Sequence, residues 1–379
     1  MRQPIAAMLV AGSVLAGAVL AVYPYADGLS FVIRAADMQG PLRRAADAGL
    51  APVRESVIGI PVGPGRSLRA RVFQAPRSRR AVLVVAGLNP AGIDEPRLVD
   101  LARQLSASRL TVVTPEIPEL ARFEIAPALT DDIERSAAWL ASRTDLAPDG
   151  RVGMIGISFS GGLSIVAAGR TSLAGKVAYV FSVGGHHDLP RVLDYLARGV
   201  RGRHKHPPHE YGVTVLLLGL ADRLVPAEQV EPLRAAVGRY LWASHLTRAD
   251  RPGAEREFEA LRALAAAMPE PSATLLKYVN DRDVAQLGQR LLPHIASYGS
   301  DAGLSPSRSP KPSARVFLLH GREDNVIPPA ESEYLARDLE GRTSVRLLVT
   351  PVISHAEVDE VRMIDVMRLA AFSADLLGR

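Results

Sequence analysis

From Val53 onward, short apolar runs alternate with stretches in which apolar residues recur every three or four positions. This rhythm predicts strands separated by amphipathic helices, and hence a largely parallel sheet covered on both faces. Val57–Val62 and Leu68–Phe73 read as an antiparallel pair joined through Gly63-Pro64-Gly65. Ala81–Val85 is wholly apolar, as expected of a strand buried on both sides, and Leu98, Leu101, Ala102 and Leu105 then mark one face of a helix. Thr111–Val113 predicts the next strand. Ile133, Ala137 and Leu140 predict a helix that Asp131 and Glu134 would open as a capping pair. Val152–Ile157 and Val177–Val183 are two further strands with a helix between them.

The alternation breaks between Leu189 and Ala314, resuming with a strand at Val316–Leu319, a helix near Glu331–Leu339, a strand at Val345–Val349 and a closing helix presenting Val361, Ile364, Met367 and Ala371. We read residues 190–313 as an inserted helical lid, with 53–189 and 314–379 as the core. Val230, Leu233 and Val237 recur at helical spacing, as do Phe258, Leu261, Leu264 and Met268. Val213–Leu220 is too short to span a bilayer and predicts a buried helix. Two linker-like stretches, basic and His/Pro-rich from Arg198 to Glu210 and Ser/Pro-rich from Ser305 to Pro312, bound this insertion.

A different pattern occupies the N-terminus. Ile5–Val22 carries no charge and follows a single Arg2. The run exceeds the roughly 7–15 apolar residues of a cleaved signal peptide and approaches the roughly 20 needed to cross a bilayer. Residues 1–26 are expected to act as a signal-anchor or signal peptide, with 27–52 a linker. Either form puts the bulk of the protein outside the cytoplasm, anchored to the membrane or secreted to the periplasm or beyond, with membrane contact through the N-terminal segment.

Composition adds exclusions. Of 379 residues, 47% are hydrophobic and 22% charged, which excludes disorder and a polytopic membrane protein. The net charge of +5 is spread too thinly for a nucleic-acid footprint, so nucleic acid is not expected as a partner. With no cysteine there is neither a disulfide nor a thiolate metal site.

Chemistry concentrates where strands end. The strand Val152–Ile157 runs directly into Ser158-Phe159-Ser160-Gly161-Gly162, with Gly156 two residues before Ser158. The strand Val316–Leu319 leads into His320-Gly321-Arg322-Glu323-Asp324, with Pro328 beyond. Ser354-His355 follows the strand Val345–Val349. These three segments, in the order Ser, Asp, His, resemble the α/β-hydrolase superfamily of serine hydrolases, esterase- or lipase-like, whose nucleophile sits on a strained strand-to-helix turn. The resemblance spans the chain from about Val53 to the C-terminus outside the lid.

It implies an α/β-hydrolase fold, with a mostly parallel central sheet flanked by helices. Ser158 would be the nucleophile, His355 the general base and Asp324 the acid that orients it. The amides of Phe159 and Leu88 would form the oxyanion hole. The activity implied is cleavage of carboxylic esters on a small-molecule or lipid-like acyl substrate, through an acyl-enzyme and with no cofactor or metal. A peptidase, thioesterase or acyltransferase on the same triad, or a non-catalytic envelope binding protein, remain alternatives.

Two departures from the family pattern stand out: Ser160 replaces the usual Gly, making it a rival nucleophile, and Ala86-Gly87-Leu88-Asn89 replaces the usual His-Gly. Glu323 is a near neighbour of the acid, and Asp188, in Gly184-Gly185-His186-His187-Asp188, is an alternative to it. His186 and His187 could line the substrate pocket or serve only as a polar turn. The Asn89 amide could assist the oxyanion hole or simply shape a turn before Pro90. His204, His206, His209 and Glu210 invite a metal reading that Pro207-Pro208 argues against, since neither helix nor strand would preorganise the ligands. Arg198, Arg201, Arg203 and Lys205 suit a solvated linker better than an anionic surface.

Overall fold

The computed structural model describes residues 25–35, 38–48, 50–199, 207–352 and 363–378. The apolar run Ile5–Val22, the histidines at 204 and 206, and His355 lie outside them. Strands β1 (Arg54–Gly63), β2 (Arg66–Gln74), β3 (Arg80–Val85), β4 (Leu110–Pro115), β5 (Val152–Ile157), β6 (Val177–Val183), β7 (Arg315–Gly321) and β8 (Val345–Thr350) form one sheet in the order β1-β2-β4-β3-β5-β6-β7-β8. β2 pairs antiparallel with both β1 and β4, and every other pairing is parallel. This is the mostly parallel, helix-flanked sheet that the hydrophobic rhythm predicts. Its central strands are buried on both faces, so they need no polar alternation.

Helices α1 (Ala26–Ala35), α2 (Pro41–Asp47), α3 (Pro96–Ala107), α4 (Pro118–Ala121), α5 (Ala128–Ser142), α6 (Phe159–Ala168) and α7 (Leu189–Arg198) precede the bulk of the insertion. The insertion continues through α8 (Glu210–Leu224), α9 (Ala227–Leu246), α10 (Arg251–Ala267), α11 (Ser272–Asn280) and α12 (Val284–Tyr298). The chain closes with α13 (Ala330–Leu339) and α14 (Met363–Leu377). One buried cluster joins a face of the sheet to α5 and α6 and runs on into the insertion. Leu216, Leu233 and Leu291 belong to the same cluster as Leu83, Val113 and Leu318. The opposite face packs on α3 and α14 through Val84, Leu105 and Phe372.

Four expectations fail for identifiable reasons. Residues 27–52 are not a bare linker: α1 lies so close to α14 that a Cβ on Gly28 would sit 2.2 Å from the Ala370 carbonyl oxygen, and Val32, Ile33 and Ala46 are buried. Asp131 and Glu134 do not cap α5, which begins earlier at Ala128. Their carboxylates converge instead on the Arg170 guanidinium. The apolar face assigned to the closing helix points outward, with Ile364 56% and Met367 42% exposed, while Ala370, Phe372 and Leu376 face the core. Val361 lies outside the described residues.

Ser305–Pro312, finally, is a bonded strap rather than a loose linker. Ser305 Oγ accepts from the Leu189 amide (2.9 Å), Ser307 N donates to the His187 carbonyl (2.9 Å), and Lys311 pairs with Asp338 at 2.6 Å. Serine and proline composition looks the same in both settings, and only the partners distinguish them.

Candidate active site

β5 delivers Ser158 onto a turn with φ 55° and ψ −127°, a left-handed backbone that costs a non-glycine residue about 1–3 kcal/mol. The conformation is held from both sides: Ser158 N donates to the Val183 carbonyl at 2.7 Å, and Gly161 N donates to the Ser158 carbonyl at 2.8 Å. β5 and the turn after β6 both approach α6 too closely for side chains between them. A Cβ on Gly156 would stand 2.2 Å from the Ser160 carbonyl oxygen, and one on Gly161 would stand 2.9 Å from the Gly185 Cα. Ser158 thus sits at the N-terminus of α6, above the carboxyl edge of the sheet.

Ser160 has a different fate. It is fully buried, and its Oγ donates to the Ala86 carbonyl at 2.6 Å, tying the start of α6 to the loop after β3. Its hydroxyl is therefore committed to structure, while Ser158 lines a cavity. Gly87 follows directly, and a Cβ there would lie 3.3 Å from the Ser158 Cβ. The Asn89 side chain accepts from the Ala91 amide at 2.9 Å, the turn-forming role. The amide of Phe159, as the first in α6, has no acceptor within the helix.

β7 carries the second group. Asp324 is buried, and its Oδ1 accepts from the amides of Val326 (2.9 Å) and Ile327 (3.0 Å). His320 lies beneath it. Nε2 of His320 donates to the Ile327 carbonyl at 2.8 Å, and Nδ1 is hydrogen-bonded with the Ser332 hydroxyl at 2.6 Å. The same Nε2 is 3.4 Å from Asp324 Oδ2. Glu323 is exposed and does not line the cavity. Asp188 is used elsewhere: one carboxylate oxygen accepts the Arg191 amide at the start of α7 (3.0 Å) and the other the Ser307 hydroxyl (2.8 Å).

Ser158, Phe159, Leu88 and Asp324 share one cavity of about 560 Å³ beneath the insertion. α7 lines it with Leu193 and Leu196, α8 with Val215 and Leu216, and α9 with Leu241, giving a mostly apolar wall. His355 lies outside the described residues. β8, which precedes it, is parallel to β7, so its carboxyl end lies at the same edge of the sheet as Ser158 and Asp324. Among the described residues no His/Asp/Glu cluster could hold a metal, and no helix is long and apolar enough to cross a membrane.

Two cavity residues take roles that the sequence left open, in the case of His186, or did not mark, in the case of Tyr211. His186 is fully buried with its ring stacked on Phe159 (centroids 5.3 Å apart) and its Nε2 2.7 Å from the Leu304 carbonyl; burial holds its pKa below the usual range, which keeps it neutral. His187 instead faces Asp338 at 2.9 Å, outside the cavity. Tyr211, on α8, donates its hydroxyl to the Leu88 carbonyl at 2.6 Å. Partners so far apart in the chain leave no local pattern.

No family model matches the chain, and no curated protein matches it in sequence. Its structure is similar to a thermostable esterase from Pseudomonas putida (12% identity, 92% of this chain and 84% of that one, TM-score 0.43). It is also similar to a 2-hydroxy-6-oxo-6-phenylhexa-2,4-dienoate hydrolase from Rhodococcus (17%, 79% and 91%, 0.42) and to a dienelactone hydrolase from Anabaena variabilis (15%, 85% and 96%, 0.41).

Proposed function

We propose that the protein is an exported serine hydrolase that cleaves carboxylic esters with an apolar acyl group. The observation that carries this reading is the backbone of Ser158: a strained, non-glycine turn, pinned on both sides, presents one hydroxyl to a largely apolar cavity. In the proposed reaction Ser158 Oγ attacks the ester carbonyl while His355 takes its proton. Asp324, held by two backbone amides, orients His355 and stabilises the imidazolium. The amides of Phe159 and Leu88 receive the oxyanion. His355 returns the proton to the leaving alcohol, and water then attacks the acyl-enzyme by the same route.

The mostly apolar wall favours an acyl chain over a charged peptide as the group bound beneath the insertion. The charge-free run Ile5–Val22 supports export with membrane contact. Reaction with a fluorophosphonate probe followed by peptide mapping tests the chemistry, with label expected on Ser158. Label on Ser160, or none at all, refutes the assignment. Fractionation tests the location, and activity confined to the cytosol refutes export.

A further inference from the structure

We propose that Tyr211 is a positioning residue for the oxyanion hole, so that docking of the insertion sets the geometry of the loop that receives the oxyanion. The inference rests on the ester-hydrolase reading above. The loop after β3 is anchored at either end by its own neighbourhood. Ala86 accepts the Ser160 hydroxyl at 2.6 Å, and Asn89 closes a turn through its side chain onto Ala91 and its carbonyl onto Gly92. Between these anchors lies Leu88, whose amide is the proposed donor. Its carbonyl is held by the Tyr211 hydroxyl across 123 residues of chain.

Tyr211 suits this role. Its ring packs edge-on against Phe123 with centroids 5.9 Å apart, and burial pushes its phenol well above the usual range, so it stays protonated and donates. Fixing the Leu88 carbonyl pins the Leu88–Asn89 peptide plane, which adjoins the Gly87–Leu88 plane carrying the Leu88 amide, so the loop's path through Leu88 is held and the amide has less room to swing away from the oxyanion. A donor held in place before the reaction costs no reorganisation during it.

The same helical turn reaches a second site loop. His209, at the N-cap of α8, donates its amide to the Asn325 carbonyl at 3.0 Å, next to Asp324. The first turn of α8 therefore bridges the loop carrying the proposed oxyanion donor and the loop carrying the proposed acid, which are otherwise supplied by separate strands.

The test is Tyr211→Phe in the full chain, which deletes only the hydroxyl and keeps the ring against Phe123. Turnover of a p-nitrophenyl ester is expected to fall about ten-fold with KM changed less than about two-fold, a smaller loss than removing a donor outright. Inhibition by a phenylboronic acid, whose serine adduct carries the same tetrahedral anion, should weaken by the same factor. Backbone hydrogen exchange over residues 86–92 should quicken. A purely structural tyrosine would instead lower thermal stability and scatter its effect between kcat and KM without singling out that loop. Unchanged turnover and boronate affinity with Ser158 still labelled by the fluorophosphonate overturn the positioning role alone. A wild-type chain that neither turns over esters nor takes label at Ser158 overturns the ester-hydrolase reading, and the positioning role with it.

Discussion

The turn at Ser158 and the helical insertion above it are held by a different balance of contacts. At the turn, a side chain on Gly156 or Gly161 would strike main-chain atoms of Ser160 or Gly185, which cannot step aside. In the insertion the contacts are mixed: a Cβ on Gly288 would stand 2.0 Å from the Ala197 carbonyl oxygen, but one on Gly212 would meet the end of the Leu196 side chain and one on Gly238 would meet nothing within 4 Å. Backbone against backbone permits few sequences, whereas side chain against side chain permits many, provided volume and polarity are kept. The proposed chemistry therefore sits in the more constrained region and the proposed acyl pocket in the more permissive one. Because the insertion shares its apolar cluster with the sheet and is strapped down by Ser305–Lys311, it is built as part of the core.

The severest way to probe this contrast is Ser158→Ala, expected to cut hydrolysis of short p-nitrophenyl esters by roughly ten-thousand-fold or more. Ser160→Ala should reduce it only modestly, through the lost bond to Ala86. Equal losses in a side-by-side turnover assay would erase the distinction between the two serines. Asp324→Asn should follow with about a thousand-fold fall in kcat and an unchanged circular dichroism spectrum, since a carboxamide cannot stabilise the imidazolium in the same way. Asp188→Asn should cost far less activity. Reversal of that order would move the acid to the end of β6.

Gly156→Ala tests the crowding itself. It should destabilise the fold by about 3 kcal/mol in urea titration, because the new methyl group meets the Ser160 carbonyl. Gly238→Ala in α9, with open space around it, should be neutral or gain up to about 1 kcal/mol from helix propensity. Similar penalties at both positions would show that the two regions are equally constrained. A change in selectivity rather than in stability or overall rate is expected from Leu216→Phe, which narrows the cavity from the α8 side. It should shift the ratio of kcat/KM for short over long acyl esters by roughly ten-fold, and an unchanged chain-length profile would place the acyl chain elsewhere.

Much of the core was legible because its causes are local. The apolar runs Ala81–Val85 and Val152–Ile157, the Gly-Pro-Gly turn between β1 and β2, and the small residues around Ser158 all follow from burial or close approach acting within a few positions of chain. The spacing from strand end to Ser158 and from His320 to Asp324 was legible for the same reason. The closing helix misled because both of its faces are apolar: Ile364 and Met367 fit a helical stripe as well as Phe372 and Leu376 do, and periodicity does not say which stripe meets the sheet. Asp131 and Glu134 likewise satisfied a capping pattern while their true partner, Arg170, lay beyond any local window.

By itself, then, the amino-acid sequence determined the alternating strands and helices, the interruption after β6, and a serine and an acid at strand ends. Each depends on hydrophobic period or on residue size at adjacent positions. Only the tertiary structure decided that Ser160 spends its hydroxyl on Ala86, that Asp188 caps α7, that the Ser/Pro-rich segment Ser305–Pro312 is a strap, and that Tyr211 grips Leu88. A hydroxyl or a carboxylate is chemically the same whether free or engaged, and which it is depends on what distant parts of the chain bring within about 3 Å of it.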